Sequence, residues 1–389
     1  MSLIGMIILF LLWRGFDFFI IMLAAKLIPY LGFFPYGEIL PGYHLPEWVS
    51  KLANFDGVHY LLIAQQGYMQ YEQAYFPLYP LLINILNPLF LKNTLLTSLV
   101  ISNVSFLIGL IILSRVLSDY LKKNQRFWLY AFLLSFPTSF FFGAVYTEGL
   151  FFLFLTLVIY GLSKKNYWLV IVGAFFASLT RLIGVFLIIP IIFHFVNNLR
   201  FKSPHFDAKR VGFKKFHLIS TILAPIFGLL TYMTYLWTTV KDPLFFFNSQ
   251  PIFGAQRTTN LILLPQVYWR YFKIFFTAQW DFRYLVSMFE FVIFTFIFIV
   301  LIIDLINLIQ NSRKDYFLVG LNLFSVANLI LPTLTGTFSS IPRYALFSIS
   351  AFLFLAKLNR NSVKIIIILF FLIMHILLLS FFAQGYFVS

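Results

Sequence analysis

What most limits the fold of this chain is a recurrent run of about twenty apolar residues, the length that crosses a hydrocarbon core about 30 Å thick. Of 389 residues, 61% are hydrophobic and 11% charged, whereas a soluble domain carries roughly 25% charged residues. In lipid, a chain must satisfy its backbone hydrogen bonds within itself, so runs of this length predict helices. Apolar length predicts about eleven spans, near residues 3–30, 95–117, 127–142, 149–162, 167–180, 183–196, 218–239, 285–309, 317–334, 344–356 and 363–382. Residues 76–90 are interrupted by proline and read as a re-entrant or half-span. The expected fold class is an all-α polytopic membrane protein, one integral domain over residues 1–389 with its first span retained.

Net charge is +15 and cysteine is absent. Without cysteine there is no disulfide, thiolate metal site or thiol nucleophile. The basic residues sort by loop. Lys122, Lys123 and Arg126, then Lys164 and Lys165, then Lys202, Lys209 and Arg210, then Arg313 and Lys314, then Lys357 and Arg360 fall in alternate loops. The positive-inside rule puts these in the cytoplasm, and that placement explains the charge without a nucleic-acid partner. The remaining loops then face outward. They include a first loop at about 32–75, the turn at Glu148, the turn at Arg181, a second large loop at about 241–283 and the turn before Arg343. The amino terminus comes out cytoplasmic and the carboxyl terminus extracytoplasmic.

Nearly all chemically interesting groups lie in these outer loops. Asp56 precedes Gly57 and an apolar run, so it reads as a helix N-cap. The same position also presents a carboxylate as a general base, and the two readings are compatible. His59 lies three residues on, able to share a side of the first turn with Asp56; it would orient the carboxylate, bind phosphate, or meet water. Glu148 begins an apolar run, as a dipole-stabilised acid or a second catalytic carboxylate. Arg181 and Arg343 sit at the outer boundary, either snorkelling to head groups or gripping phosphate bidentately. Residues 241–250, with Asp242, Gln250 and three phenylalanines between, read as a surface anchor or the wall of a cavity. Arg14 and Asp17 lie mid-span at i,i+3, with a buried structural pair as the simpler reading and a functional one as the other. No metal-ligand spacing stands out.

Several of these motifs together resemble one family. Phe55-Asp56-Gly57 with His59-Tyr60 and Gly67-Tyr68, then Tyr75-Phe76-Pro77-Leu78-Tyr79-Pro80, looks like the first luminal loop of the GPI mannosyltransferase II (PIG-V) family and its bacterial relatives. The likeness continues at Pro137-Thr138-Ser139 with Tyr146-Thr147-Glu148, at Leu179-Thr180-Arg181, at Asp242-Pro243-Leu244 with Gln250, and at Pro342-Arg343-Tyr344. The resemblance implies a GT-C-type bundle and an inverting transfer of a sugar, usually mannose, from a polyprenyl- or dolichyl-phosphate donor. The acceptor hydroxyl would belong to a glycolipid, glycan or protein. The family's catalytic Asp maps onto Asp56; Glu148 is the second catalytic candidate. Arg343, Arg181 and His59 would hold the donor phosphate, and Phe55, Tyr60, Tyr79, Asp242 and Gln250 would line the substrate pocket. Where the family commonly has Trp, Phe55 keeps an aromatic wall and removes an indole donor. The chemistry requires no cofactor and leaves a divalent metal admissible. The compact chain implies a bacterial homologue in the cytoplasmic membrane with an extracytoplasmic active site, or the ER membrane in a eukaryote. A transporter or flippase of lipid-linked sugars is the alternative, but such proteins carry midplane polar sites.

Overall fold

The computed structural model describes residues 3–32, 34–200, 211–253, 258–310 and 315–388. Among them every regular element is helical. Six helices are long and apolar enough to cross a membrane: Leu3–Leu27, Thr94–Leu117, Leu218–Val240, Phe282–Gln310, Tyr316–Thr335 and Asn361–Ala383. All six were expected from apolar length, within a few residues. Four shorter apolar helices accompany them, at Leu78–Phe90, Glu148–Ser163, Tyr167–Thr180 and Leu182–Val196. The chain is thus a multi-pass membrane protein. Lys202, Lys209, Arg210, Arg313 and Lys314, part of the cytoplasmic charge pattern, lie outside the described residues.

Helix starts follow from short polar side chains that accept otherwise orphaned backbone N–H groups. Asn93 accepts from Leu96 N (3.0 Å) at the head of Thr94–Leu117. Asp315 accepts from Phe317 N and Leu318 N (3.1 and 3.3 Å) at the head of Tyr316–Ile330.

Three expected spans are broken, the first of them at a proline. The expected 127–142 run is helical only over Lys123–Ser135; Pro137 lacks the N–H that would continue it, and Ser139–Gly143 is a tighter 3-10 turn. The 183–196 run opens as a 3-10 turn over Leu182–Leu187 before the α-helix Ile188–Arg200. The 344–356 run splits into Ile341–Ala345 and Ile349–Lys357. Within 76–90, Pro77 caps the helix Leu78–Leu86 and Pro80 sits in its first turn, where a missing N–H does no harm. The interruption comes later, at Asn87-Pro88, where the helix tightens into a 3-10 turn.

The contacts divide the chain into two compact units. The first comprises Met1–Leu153, Phe245–Gly254 and Leu355–Ser389. In it Leu3–Leu27 packs on Asn361–Ala383 and on Thr94–Leu117, and Lys123–Ser135 packs on Asn361–Ala383. Its core is aromatic: Phe106 stacks on Phe142 at 4.2 Å and meets Trp13 at 5.2 Å. A buried polar network crosses this core. Arg14 Nη1 donates to Asp17 Oδ2 (2.8 Å) and Nη2 to the Gly143 carbonyl (3.2 Å). His375 bridges Asp17 Oδ1 through Nε2 (2.8 Å) and Ser139 Oγ through Nδ1 (3.1 Å). The structural reading of Arg14 and Asp17 therefore has a geometric basis, with His375 as a third member.

The second unit comprises Phe154–Leu244 and Ala255–Phe354. Tyr167–Thr180 packs along Val211–Val240, and Ile188–Arg200 along Tyr316–Ile330. The first pair approaches closely because Gly228 has no side chain: a Cβ there would overlap the Phe175 carbonyl oxygen. Asp304, in the last third of Phe282–Gln310, is buried and accepts from Asn322 Nδ2 (2.8 Å) and Ser350 Oγ (2.6 Å), as a carboxylate in an apolar helix requires.

Candidate active site

The first loop builds one cluster. Its backbone is a series of short turns, Gly37–Tyr43, Glu47–Ser50 and Lys51–Ala53, leading into the helix Asp56–Gln66. The sequence placed Asp56 at the N-cap; the structure corrects this by one residue. Phe55 is the N-cap, without a side-chain cap bond, and Asp56 lies in the first turn, where the helix dipole still favours a negative charge. Phe55 has φ +60° and ψ −120°. A non-glycine residue there is strained, and such strain persists only where surrounding contacts over-determine it. Phe34, Phe387 and Phe382 supply them, with ring centroids 4.9, 5.5 and 5.7 Å from that of Phe55.

Asp56 Oδ1 accepts a hydrogen bond from the Tyr75 hydroxyl at 3.2 Å. Burial, together with the Asp56 carboxylate, holds the Tyr75 phenol well above the usual tyrosine range, so it stays protonated and donates. The His59 ring stacks on Tyr75 (5.2 Å, 18° between planes). Asp56 and His59 thus share a side of the first turn, as their spacing predicts. His59 Nδ1 lies 3.1 Å from Glu72 Oε1, and Glu72 Oε2 accepts from Met69 N at 2.9 Å. Tyr60 meets Tyr75, Tyr79 and Tyr146 edge-on at 5.1, 5.2 and 6.4 Å. Tyr79 is wholly buried, its hydroxyl shared with the Ser98 carbonyl (3.0 Å) and Ser102 Oγ (2.7 Å), and it braces Tyr60 from behind.

Glu148 is the first residue of Glu148–Ser163 and is fully buried. The stretch leading to it is sewn onto the first loop. Val145 N donates to the Leu52 carbonyl (3.0 Å), and the Tyr146 hydroxyl to the Asn54 carbonyl (2.7 Å), two residues before Asp56. Ser102 Oγ donates to the Tyr146 carbonyl (3.1 Å). A Cβ at Gly149 would overlap the carbonyl oxygens of Ser102 and Phe142, so glycine is what lets this helix start so close to its neighbours. Gln250 Nε2 reaches the Phe246 carbonyl (3.2 Å), and Phe246 in turn meets Phe76 at 5.5 Å.

The second unit gathers another cluster. The Arg181 guanidinium lies over the rings of Tyr344 (4.8 Å) and Phe347 (5.4 Å), in cation–π geometry. Tyr344 follows Arg343 directly, so two arginines far apart in sequence share one neighbourhood. Arg343 is buried, at 6% exposure, in the short turn Ile341–Ala345. That burial speaks against the snorkelling reading, which needs a head group reaching water. Sequence reasoning missed the support beneath this turn. Glu290 Oε1 accepts from Ser340 N (3.3 Å) and Oε2 from the Tyr271 hydroxyl (2.9 Å); that hydroxyl also accepts from Phe338 N (3.0 Å). Burial, then Glu290, raises the Tyr271 phenol, which therefore stays a donor. The one sequence signal was a glutamate inside an apolar run, which marks a functional or structural need by default. Asp242 accepts from Leu244 N (2.9 Å) in a tight turn. Among the described residues no group of three or more His, Asp or Glu side chains is placed to hold a metal ion.

Spanning helices with enclosed polar clusters in both units define a multi-pass helical membrane protein. Residues 44–240, half of the chain, match the family model described as Mannosyltransferase (PIG-V), and the chain belongs to that family. Membership makes it a membrane mannosyltransferase, an enzyme with a sugar donor and an acceptor. The matched span covers Asp56, Glu148 and Arg181, while Arg343 and Gln250 lie beyond it. No curated protein matches the chain.

Proposed function

We propose that the protein transfers a mannosyl group from a polyprenyl- or dolichyl-phosphate donor to an acceptor hydroxyl, with inversion, on the extracytoplasmic side of the membrane. The observation that carries this reading is Asp56: a carboxylate in the first turn of a helix, outside the long spans, with Tyr75 donating to it. Asp56 takes the proton of the acceptor hydroxyl. The acceptor oxygen then bonds to the anomeric carbon from the face opposite the phosphate. The anomeric carbon–oxygen bond to phosphate breaks, and its electron pair leaves with the polyprenyl phosphate. Arg343 and Arg181 are the candidates for that dianion by their chemistry, since a guanidinium binds phosphate oxygens in pairs. Glu148 is the second carboxylate of the reading, as a hydroxyl-binding group. The GT-C fold class belongs to the same reading, and the six long and four shorter apolar helices support it.

The test is Asp56→Asn in purified protein, with short-chain polyprenyl-phosphate mannose as donor. Asparagine keeps the volume and can still accept from Tyr75, but it cannot take a proton near neutral pH. Transfer should fall by roughly 10²–10⁴-fold, the scale of general-base loss, with unchanged unfolding. Near wild-type transfer with saturating donor would remove Asp56 from the role and move the search to Glu148.

A further inference from the structure

We propose that Tyr75 is a positioning residue for the transfer: its hydroxyl orients the Asp56 carboxylate, and the His59–Glu72 pair fixes the ring that carries it. This rests on Asp56 as the base. A carboxylate turns easily about its last torsion, which is broad and roughly two-fold. One donor held at a fixed point removes that freedom and sets the direction in which the group accepts a proton, and orientation of this kind is a large part of catalysis.

Tyr75 is built to be such a point. Its backbone is extended, between the 3-10 turn Glu72–Ala74 and Pro77, with little slack on either side. Tyr75 N donates to the Glu72 carbonyl (2.9 Å), and the Tyr75 carbonyl accepts from the Tyr68 hydroxyl (2.7 Å). Its ring is held by His59 stacked on one side and by Tyr60 edge-on (5.1 Å, 74°). His59 is fixed in turn. Its Nδ1 meets Glu72 Oε1, its ring meets Tyr36 edge-on (5.7 Å, 85°), and Glu72 is pinned through its other oxygen by Met69 N. The chain of contacts runs from a backbone-anchored carboxylate, through an imidazole and a phenol, to the proposed base. Every member lies within residues 36–75, in one unit of the fold.

The experiment compares wild type, Tyr75→Phe, Asp56→Asn and the double variant, purified, with short-chain polyprenyl-phosphate mannose as donor and an alkyl mannoside as acceptor. Tyr75→Phe keeps the stacked ring and loses only the hydroxyl. The expected result is a kcat lowered roughly 10–100-fold, with donor KM and unfolding midpoint unchanged, and no further loss when it is added to Asp56→Asn. A Tyr75→Phe enzyme at the wild-type rate beside an inactive Asp56→Asn overturns the positioning role and leaves the base intact. An active Asp56→Asn overturns the base. Equal slowing by Tyr75→Phe in both backgrounds makes the tyrosine merely structural. A second readout needs no turnover: carbodiimide labelling of Asp56 at fixed pH, followed by mass spectrometry. A donated hydrogen bond favours the charged form, so Tyr75→Phe should label about fivefold faster, the equivalent of one net hydrogen bond. Equal labelling rates count against the proposal.

Discussion

Asp17→Ala is the sharpest test of how the first unit is held. Asp17 is fully buried and accepts two bonds of 2.8 Å, one from Arg14 and one shared with His375. Removing it leaves the Arg14 guanidinium, itself 5% exposed, with the Gly143 carbonyl as its remaining partner among the contacts described above. Breaking a buried ion pair from one side costs about 3–5 kcal/mol, because a charge stays in low dielectric without compensation. An arginine at the centre of a membrane helix costs about 2.5–3.5 kcal/mol by insertion scales, which sets a similar floor. Unfolding in mixed detergent and dodecyl sulfate, followed by helical circular dichroism, should therefore show a loss of about 3–5 kcal/mol. The companion variant removes both charges. Arg14→Met with Asp17→Leu leaves no orphan charge, Asn103 Nδ2 still donates to the Gly143 carbonyl (2.9 Å), and His375 keeps Ser139. Most of the loss should return, since apolar replacement of a buried pair is often neutral. A single-variant loss below about 1 kcal/mol, the worth of one ordinary hydrogen bond, would refute the account of this network as the pin of the unit. So would a double variant no more stable than Asp17→Ala.

Two further perturbations follow from close contacts. Gly149→Ala puts a methyl group against two carbonyl oxygens and should destabilise by about 1–3 kcal/mol, as overpacking does; the same unfolding assay reads it, and an effect within about 0.5 kcal/mol shows that the helix start can shift at no cost. Arg343→Lys keeps the charge but loses the bidentate fork, so donor KM should rise about tenfold in a folded protein, and unchanged transfer kinetics in Arg343→Ala would strip the residue of its phosphate role.

Much of the site's local half was readable in the chain. The three-residue spacing of Asp56 and His59 put them on one side of a turn, and Tyr75 touches both. Arginines at Arg181 and Arg343 stood out because the positive-inside rule gives no reason for them; the ring of Tyr344 then turned out to lie beneath Arg181. What escaped was the support. Glu72 and Tyr271 are ordinary residues by local pattern; Tyr75 lies in a recognisable motif and Glu290 in an apolar run, but the role of each appears only when a partner from another element arrives.

The sequence by itself determined the class of fold and where the long spans run. Hydropathy is additive along a run of about twenty residues, so it needs no knowledge of neighbours. Tertiary structure alone decided the one-residue shift that makes Phe55 the cap, the break between Ala345 and Ile349, and the pairing of Asp17 with His375, 358 positions away. The reason is physical: a buried polar group in hydrocarbon must find a partner wherever the fold offers one, and local pattern does not specify where that will be.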